Sequence, residues 1–437
     1  MERTIIKSLK SKINQKVLVK CWLHAKREQG AIIFLILRDI TGTVQAVVTR
    51  DNVDAFNIVE KLNIESVVEI SGNVEEQKQA PNGYEIQVKT INVLSENQKV
   101  LPIPVYVKGE SDTERDLRMD WRWLDLRKPE KALIFKVWTT MEHAFRTHLV
   151  TNDFIEIHSP KLTVMATESG AELFEVKYFD KKAYLAQSPQ LYKQMAMASG
   201  FEKVFEVGPV FRANPSFTSR HDTEFTMYDI EMSFIESHED LHKEEEKLMV
   251  HIFTEIKNKW GEEIKKVFGQ EITIPTIPFP RLTVKEAKSI LKDKGIENKR
   301  EGDMSPEEER AISEYIKETY NHDFVFLHQY PVSTRPFYSM KLENDTTVTK
   351  TFDLIYRGLE ITSGAQREHR PDILESQIKE KGLPLEPFQP YINFFRYGCP
   401  PHGGFAPGPT RILMKMLGFD NVREVTYLYR GVNRLTP

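Results

Sequence analysis

Between Val17 and Ser95 short apolar runs alternate with polar positions and break at turn residues, a pattern that only a small, tightly closed sheet accommodates. The runs are Val17–Leu23, Ile32–Asp39, Val44–Val48, Val67–Val74 and Tyr84–Val88, with turns at Thr41-Gly42-Thr43 and Pro81-Asn82-Gly83. Asp51 to Leu62 reads as a helix after the third run. Five strands with a helix in that place predict an OB-type barrel over residues 1–100, whose open face stacks single-stranded bases on aromatic rings. Trp22, His24 and Phe34 are candidate platforms, although Trp22 and Phe34 would equally suit a barrel core.

At 437 residues the chain is too long for one core, and two or three domains are expected. A hydrophobic content of 40% against 28% charged residues excludes a disordered chain. No apolar run reaches the roughly 18 residues a spanning helix needs, and residues 1–7 lack the core of a signal peptide, so no membrane partner and a cytoplasmic location are expected. A net charge of −4 argues against a polyanion partner. Its distribution leaves room for one, since residues 1–28 hold eight Lys and Arg against two Glu, which suits either a polyanion or a solvated helix face and strand edge. Cys21 and Cys399 offer no bridge framework, and the twelve histidines show no ligand spacing, so no structural zinc is expected.

Leu101-Pro102-Ile103-Pro104-Val105 opens an extended hinge over 101–130, and a second domain over 131–437 follows. Lys131 to Thr151 has the spacing of an amphipathic helix, and Phe154 to Pro160 alternates like a strand. Strand character recurs at 204–211, 225–234, 348–355 and 359–363, which calls for an antiparallel sheet flanked by helices and an α+β class overall. A more helical insertion is expected at about 255–340, where Ser305-Pro306-Glu307-Glu308 is a capping box opening a helix to about Tyr320.

Val210 to Phe225, read with Arg411, carries the chemistry. Arg212 ends one strand and Phe225 begins the next, so the loop between them can fold over a nucleotide. A guanidinium makes forked hydrogen bonds to phosphate, and a guanidinium and a phenyl ring can sandwich a purine. Asp353 and Glu360 flank an Arg357-Gly358 turn and are expected to lie nearly opposite one another, an arrangement that suits either an exposed pair in solvent or a cation between them, with Mg²⁺ on ATP phosphates the best fit for the cation. Arg367 follows as a guanidinium suited to a carboxylate substrate, and Gly403, Gly404 and Gly408 allow close backbone approach before the helix from Ile412 to Leu417.

With these residues placed, the chain resembles a class II aminoacyl-tRNA synthetase of the aspartyl branch, in its archaeal and eukaryotic form, over essentially its whole length. Phe154 to Pro160 is similar to motif 1, Phe211-Arg212-Ala213 through Phe225 to motif 2, and Gly404 to Arg411 to motif 3. The resemblance implies an N-terminal OB-fold that binds the anticodon and an antiparallel catalytic sheet surrounded by helices. It implies ATP and Mg²⁺ as cofactors, L-aspartate as substrate, tRNA(Asp) as partner, and a homodimer formed around Ile157 and Pro160.

The same resemblance implies roles for individual residues. Arg212, Lys193 and Arg367 would be catalytic; Arg212, Arg220, His221, Phe225, Glu360 and Arg411 would hold ATP. Glu168, Gln190, Lys193, Asp229, Ser363 and Arg367 would hold aspartate, and Asp353, Glu360 and Ser363 the metal. His24, Arg27, Phe34, Gln45 and Pro81 would meet the anticodon. Gln187 to Gln194 is similar to the aspartyl signature, in which Lys193 and Arg367 supply the positive charge that a carboxylate needs and an amide does not. His24 and Pro81 stand where relaxed members of the branch carry His and Pro, which extends the expectation to tRNA(Asn). Asn214, Ala406, Pro407, Pro409 and Thr410 depart from motifs 2 and 3. Those departures leave open a paralogue that binds tRNA without catalysis, and an asparaginyl enzyme is the other alternative, against which Lys193 speaks.

Overall fold

The computed structural model describes residues 1–105, 113–164, 173–215, 218–296 and 302–437. They form two compact units, Met1–Leu133 with Pro437, and Ile134–Thr436.

In the first unit β1 (Lys16–Gln29), β2 (Ile32–Asp39), β3 (Gly42–Thr49), β4 (Val67–Glu76) and β5 (Tyr84–Ser95) close into a barrel of order β1-β2-β3-β5-β4, with α1 (Val53–Lys61) after the third strand. Alternation determines which side chains go inside. Ile33, Leu35 and Leu37 of β2 are fully buried, whereas Phe34 and Ile36 between them are half-buried on the outer face. Phe34 and Trp22 therefore lie off the core. Asn52 caps α1 by accepting from the Ala55 amide. Two short helices, α2 (Arg115–Asp120) and α3 (Arg122–Asp125), follow.

The division between units falls within α4 (Pro129–Thr151). Beyond it come β6 (Ile155–Glu156), β7 (Leu162–Thr163), β8 (Glu175–Tyr178), β9 (Lys181–Leu185), α5 (Gln190–Ala198), β10 (Lys203–Phe211), β11 (Glu224–Ser233) and α6 (His238–Phe268). Then follow β12 (Arg281–Thr283), α7 (Val284–Asp293), α8 (Pro306–Tyr320), β13 (Phe324–His328), β14 (Thr351–Tyr356), β15 (Leu359–Gln366), α9 (Pro371–Glu380), α10 (Gln389–Arg396), β16 (His402–Pro407) and α11 (Pro409–Met416).

Eight strands make one sheet in the order β12-β13-β14-β15-β16-β11-β10-β6, antiparallel except for its two edge strands. Strands β7, β9 and β8 form a separate small sheet. The segment expected to be a helical insertion also supplies β12 and β13 to the main sheet, and the helix at its start begins earlier, at His238. The run from Phe154 to Pro160 yields only the two-residue β6.

Helix ends follow local chemistry. Ser237 and Asp240 form a capping box on α6, which stops at Gly269 in the left-handed conformation. Ser305 and Glu308 form another on α8, with Pro306 in its first turn, and Asn321 ends it.

Register in the main sheet decides what faces what. Along β11 the side chains of Tyr228 and Ile230 are fully buried in the core, so Phe225, Met227, Asp229 and Glu231 share the opposite face. In β15 the same period puts Ile361, Ser363 and Ala365 on one face. The β14–β15 hairpin carries an irregularity at Leu354/Ile355. The two-residue turn pairs Tyr356 with Leu359 and Ile355 with Glu360, and past the irregularity Asp353 stands opposite Ser363; the two carboxylates are not cross-strand partners.

Candidate active site

A cavity of about 400 Å³ opens on the face of the second unit's sheet that carries Phe225, Asp229 and Ser363. Eleven of the residues expected to hold ATP, aspartate or the metal line it: Gln190, Lys193, Arg212, Arg220, His221, Phe225, Asp229, Glu360, Ser363, Arg367 and Arg411. Asp353 lies behind the lining, and Glu168 falls outside the described residues.

At the β10–β11 loop the Arg212 guanidinium lies 5.3 Å from the centre of the Phe225 ring. Burial and the nearby Arg411 lower its pKa. Arg411, in the first turn of α11, donates to the Glu360 carbonyl at 2.8 Å and has the Glu360 carboxylate at 3.5 Å. Arg220 grips Glu309 of α8 through two 3.0 Å contacts, and Glu309 in turn accepts from the Glu360 amide at 3.1 Å. Thus α8, distant in sequence, braces the loop. Burial, with Arg411, Arg220 and Arg212 nearby, pulls His221 down to about 4, so its ring is neutral at pH 7. Beside it the buried Asp222 is pushed up to about 7, because burial outweighs the attraction of Arg411 and Arg423.

The floor is a block of buried charge. Lys193, 2% exposed, sits 3.0 Å from Asp229 and 3.2 Å from Glu231, and donates to the Ile230 carbonyl at 3.2 Å. Arg367 donates through Nε and Nη2 to the two Glu231 oxygens at 3.0 and 3.3 Å, and through Nη2 to the Gly404 carbonyl at 3.1 Å. Glu231 is therefore clamped between both cations. Burial opposes its ionisation, but Arg367 and Lys193 outweigh burial and hold its pKa below the ordinary range. Asp229 goes the other way, since burial raises it more than Lys193 lowers it. Two cations facing two carboxylates make the floor neutral as a group, a compensation absent from the expectation of bare positive charge.

Gly404 is required by this packing. A Cβ there would lie 2.0 Å from the Ile230 carbonyl oxygen and 2.2 Å from a Glu231 oxygen. Gln190 donates to Gln194 at 3.0 Å, and Gln194 is held by Tyr391 and His402, each at 3.0 Å, so the wall behind the floor is hydrogen-bonded throughout.

Asp353 has a partner the sequence did not suggest. Arg335 forks onto it at 3.1 and 2.5 Å, reaches Ser363 Oγ at 3.2 Å, and stacks 3.6 Å from the centre of the Tyr330 ring. The oxygen donors Asp353, Glu360 and Ser363 suit a hard cation such as Mg²⁺. Asp353 is already neutralised by Arg335, which leaves Glu360 and Ser363 as the donors on the cavity wall.

Four contributors were missed: Glu231, Glu309, Arg335 and Asp222. Glu231 alone had a signal, as an acid two residues after Asp229 within the stretch Met227–Met232, whose other residues are apolar or aromatic, which puts it on the face of Asp229.

On the barrel, register places Arg27 opposite Phe34 and Ile36 opposite Gln45, so Arg27, Phe34 and Gln45 share one outer face. The Arg27 guanidinium lies 5.2 Å from the centre of the Phe34 ring, and Gln45 donates to Glu85 at 2.6 Å. His24 lies beneath the surface at 5% exposure, 2.6 Å from Arg38 and 3.3 Å from Glu65, while Pro81 is exposed in the β4–β5 turn. Arg38 and Arg127 also hold Glu65, which they and His24 keep at about 2 against the opposing effect of burial. Among the described residues no helix is long and apolar enough to cross a membrane.

Comparison with known proteins agrees with this geometry. Residues 114–430 match the model of tRNA synthetases class II (D, K and N), and residues 17–94 match an OB-fold nucleic acid binding domain. The chain is 44% identical over 425 residues to an aspartate–tRNA(Asp/Asn) ligase of Methanopyrus kandleri and to an aspartate–tRNA(Asp) ligase of Thermococcus kodakarensis, in each case covering 97% of this chain and 96% of the relative. Among solved structures it resembles asparaginyl-tRNA synthetase from Pyrococcus horikoshii complexed with asparaginyl-adenylate, with a TM-score of 0.92 and 33% identity over 100% of both chains. It also resembles aspartyl tRNA synthetase from Entamoeba histolytica, with a TM-score of 0.88 and 34% identity over 100% of this chain and 93% of that one. A cavity built on motifs 2 and 3, a barrel of OB type and full-length relatives of one kind agree: the chain is an enzyme of the class II aminoacyl-tRNA synthetase family, in the group that comprises the D, K and N members.

Proposed function

We propose that the chain activates L-aspartate with ATP and transfers it to tRNA(Asp). The observation that carries this reading is the pair of buried cations, Lys193 and Arg367, on the floor of a cavity that also holds Arg212, Phe225 and Arg411. Phe225 and Asp229 are four residues apart on one strand, about 13 Å at roughly 3.3 Å per residue, a span suited to an amino acid joined to AMP. Arg367 spends Nε and Nη2 on Glu231 and Gly404; its Nη1 has no hydrogen-bond partner among the described residues. A donor-only group held in that way matches the acceptor-only carboxylate of aspartate, whereas the amide of asparagine would turn donors toward it.

In the first step the α-carboxylate of aspartate attacks the α-phosphorus of ATP, forming the mixed anhydride as the bond to pyrophosphate breaks. Arg212 neutralises charge on the α-phosphate, and the purine lies between Phe225 and Arg411. Asp229 receives the substrate's ammonium group. In the second step the terminal ribose hydroxyl of tRNA attacks the anhydride carbonyl and AMP leaves. Positioning and fixed charge supply the rate, and no protein nucleophile is needed. Glu360 and Ser363, with Asp353 if Arg335 releases it, would hold Mg²⁺, which when bound screens phosphate charge.

On the barrel face Phe34 and Arg27 offer stacking surfaces to anticodon bases, with Gln45 and Pro81 beside them and His24 supporting from below. His24 and Pro81 favour charging of tRNA(Asn) as well, and transcripts with GUC and GUU anticodons distinguish the two cases. A homodimer fits the exposed edge strand β6 and the exposed apolar residues Leu162, Val164, Phe174 and Phe179 near it in sequence.

Amino-acid-dependent pyrophosphate exchange tests the reading. Exchange with aspartate and not with asparagine is the expected result; exchange with asparagine alone, or with neither at saturating ATP, would overturn it.

A further inference from the structure

Away from the cavity, three histidines that are far apart in sequence come together. His238 and His242 lie one turn apart at the start of α6, and His328 ends β13. The ring of His238 is 5.4 Å from that of His242 and 5.7 Å from that of His328, and His242 is 6.1 Å from His328. Glu239 completes the group, with its two oxygens 3.8 Å from His238 Nε2 and 3.6 Å from His242 Nδ1. Ligand atoms of His238, Glu239 and His328 all lie within 4.8 Å of one another, and none of these residues lines the cavity described above.

The nitrogens here are unusual for a protein interior. Both ring nitrogens of His238, both of His242 and Nδ1 of His328 are buried with no hydrogen-bond partner among the described residues. Buried polar atoms are nearly always satisfied, so a cluster of five orphans on three touching rings calls for a ligand. Stacking on Phe326 at 4.2 Å accounts for the ring of His242, but it satisfies none of those nitrogens. Arg281 pairs with the Glu239 oxygen that faces His242 and leaves the other toward His238, fixing the carboxylate in the way outer partners orient metal ligands.

We propose that His238, His328 and Glu239 bind a divalent transition-metal ion of the Zn²⁺ type. Neutral imidazoles with one carboxylate suit Zn²⁺ or Co²⁺ and are poor ligands for Mg²⁺. Such an ion would tie the start of α6 to the end of β13, outside the catalytic cavity. His238 and Glu239 are adjacent in the sequence, but His328 lies 90 residues beyond His238, which is why the histidines gave no pattern.

The test titrates the full chain, stripped with chelator and kept in excess Mg²⁺, with Zn²⁺ by calorimetry and with Co²⁺ by visible absorption. One Zn²⁺ per chain, a four-coordinate Co²⁺ spectrum, and retention of both in the Asp353→Asn, Glu360→Gln variant are expected. The His238→Gln, His328→Gln variant, its fold checked by circular dichroism, should bind at least about 100-fold more weakly. Absence of Zn²⁺ binding and of a Co²⁺ band in the unaltered chain would overturn the proposal whether or not the variant folds, as would undiminished binding by a folded variant.

Discussion

The floor of the cavity and the open face of the barrel handle charge in opposite ways. On the floor, Lys193, Arg367, Asp229 and Glu231 are all buried, and each is paired at 3.0 to 3.3 Å. On the barrel, Arg27 is exposed and lies over a half-buried Phe34. A small substrate with one defining carboxylate calls for groups that are already ordered and dry, where a misplaced donor is costly. Bases of a flexible strand call for flat surfaces that tolerate adjustment. Removing one residue should therefore damage the floor much more than the barrel face.

The largest effect is expected from Glu231→Ala. It would leave Lys193 short of one partner and Arg367 without its carboxylate, both in a dry interior, and should cost about 3–5 kcal/mol of stability. Urea unfolding checks this, and a loss below about 1 kcal/mol would mean that the floor is wetter than its burial indicates. On the barrel, Phe34→Ala should lower kcat/KM for aminoacylation by about 1–3 kcal/mol, the worth of one stacked base, while tRNA-independent pyrophosphate exchange stays unchanged. Equal losses in both assays would end the division of labour between the two regions.

The smallest effect concerns Asp222. Its carboxyl is raised to about 7 in the fold from an ordinary 3.8, so between about pH 4 and pH 7 the folded chain holds a proton that the unfolded chain has lost. Stability should fall as pH rises through that window, with a slope of at most about 1.4 kcal/mol per pH unit, and Asp222→Asn should flatten it. Unfolding midpoints measured across that range decide; a variant with the same slope as the parent would exclude Asp222 as the source.

How much of this was legible depended on whether the signal was local. Barrel strands were readable because alternation is a property of neighbours, as Ile33, Leu35 and Leu37 against Phe34 show. The capping box at Ser305–Glu308, and the loop joining Arg212 to Phe225, were readable for the same reason. The opposition of Asp353 and Glu360 failed because the two-residue turn pairs Tyr356 with Leu359 and hence Ile355, not Asp353, with Glu360; the irregularity at Leu354/Ile355 only moves Asp353 one residue further along, to Ser363. Glu309 and Arg335 were invisible because they reach the cavity wall from segments far away in sequence. Glu231 matters most among these. Its carboxylate changes the picture from bare positive charge to a balanced block in which one guanidinium edge remains to be used.

We infer that Lys193 and Arg367 choose the acid over its amide, and the direct measurement is that preference in Lys193→Met. The ratio of kcat/KM for aspartate over asparagine in pyrophosphate exchange should collapse by roughly 10²-fold or more, the cost of truncating one member of a buried charge pair. A folded variant whose ratio equals that of the parent would contradict the account.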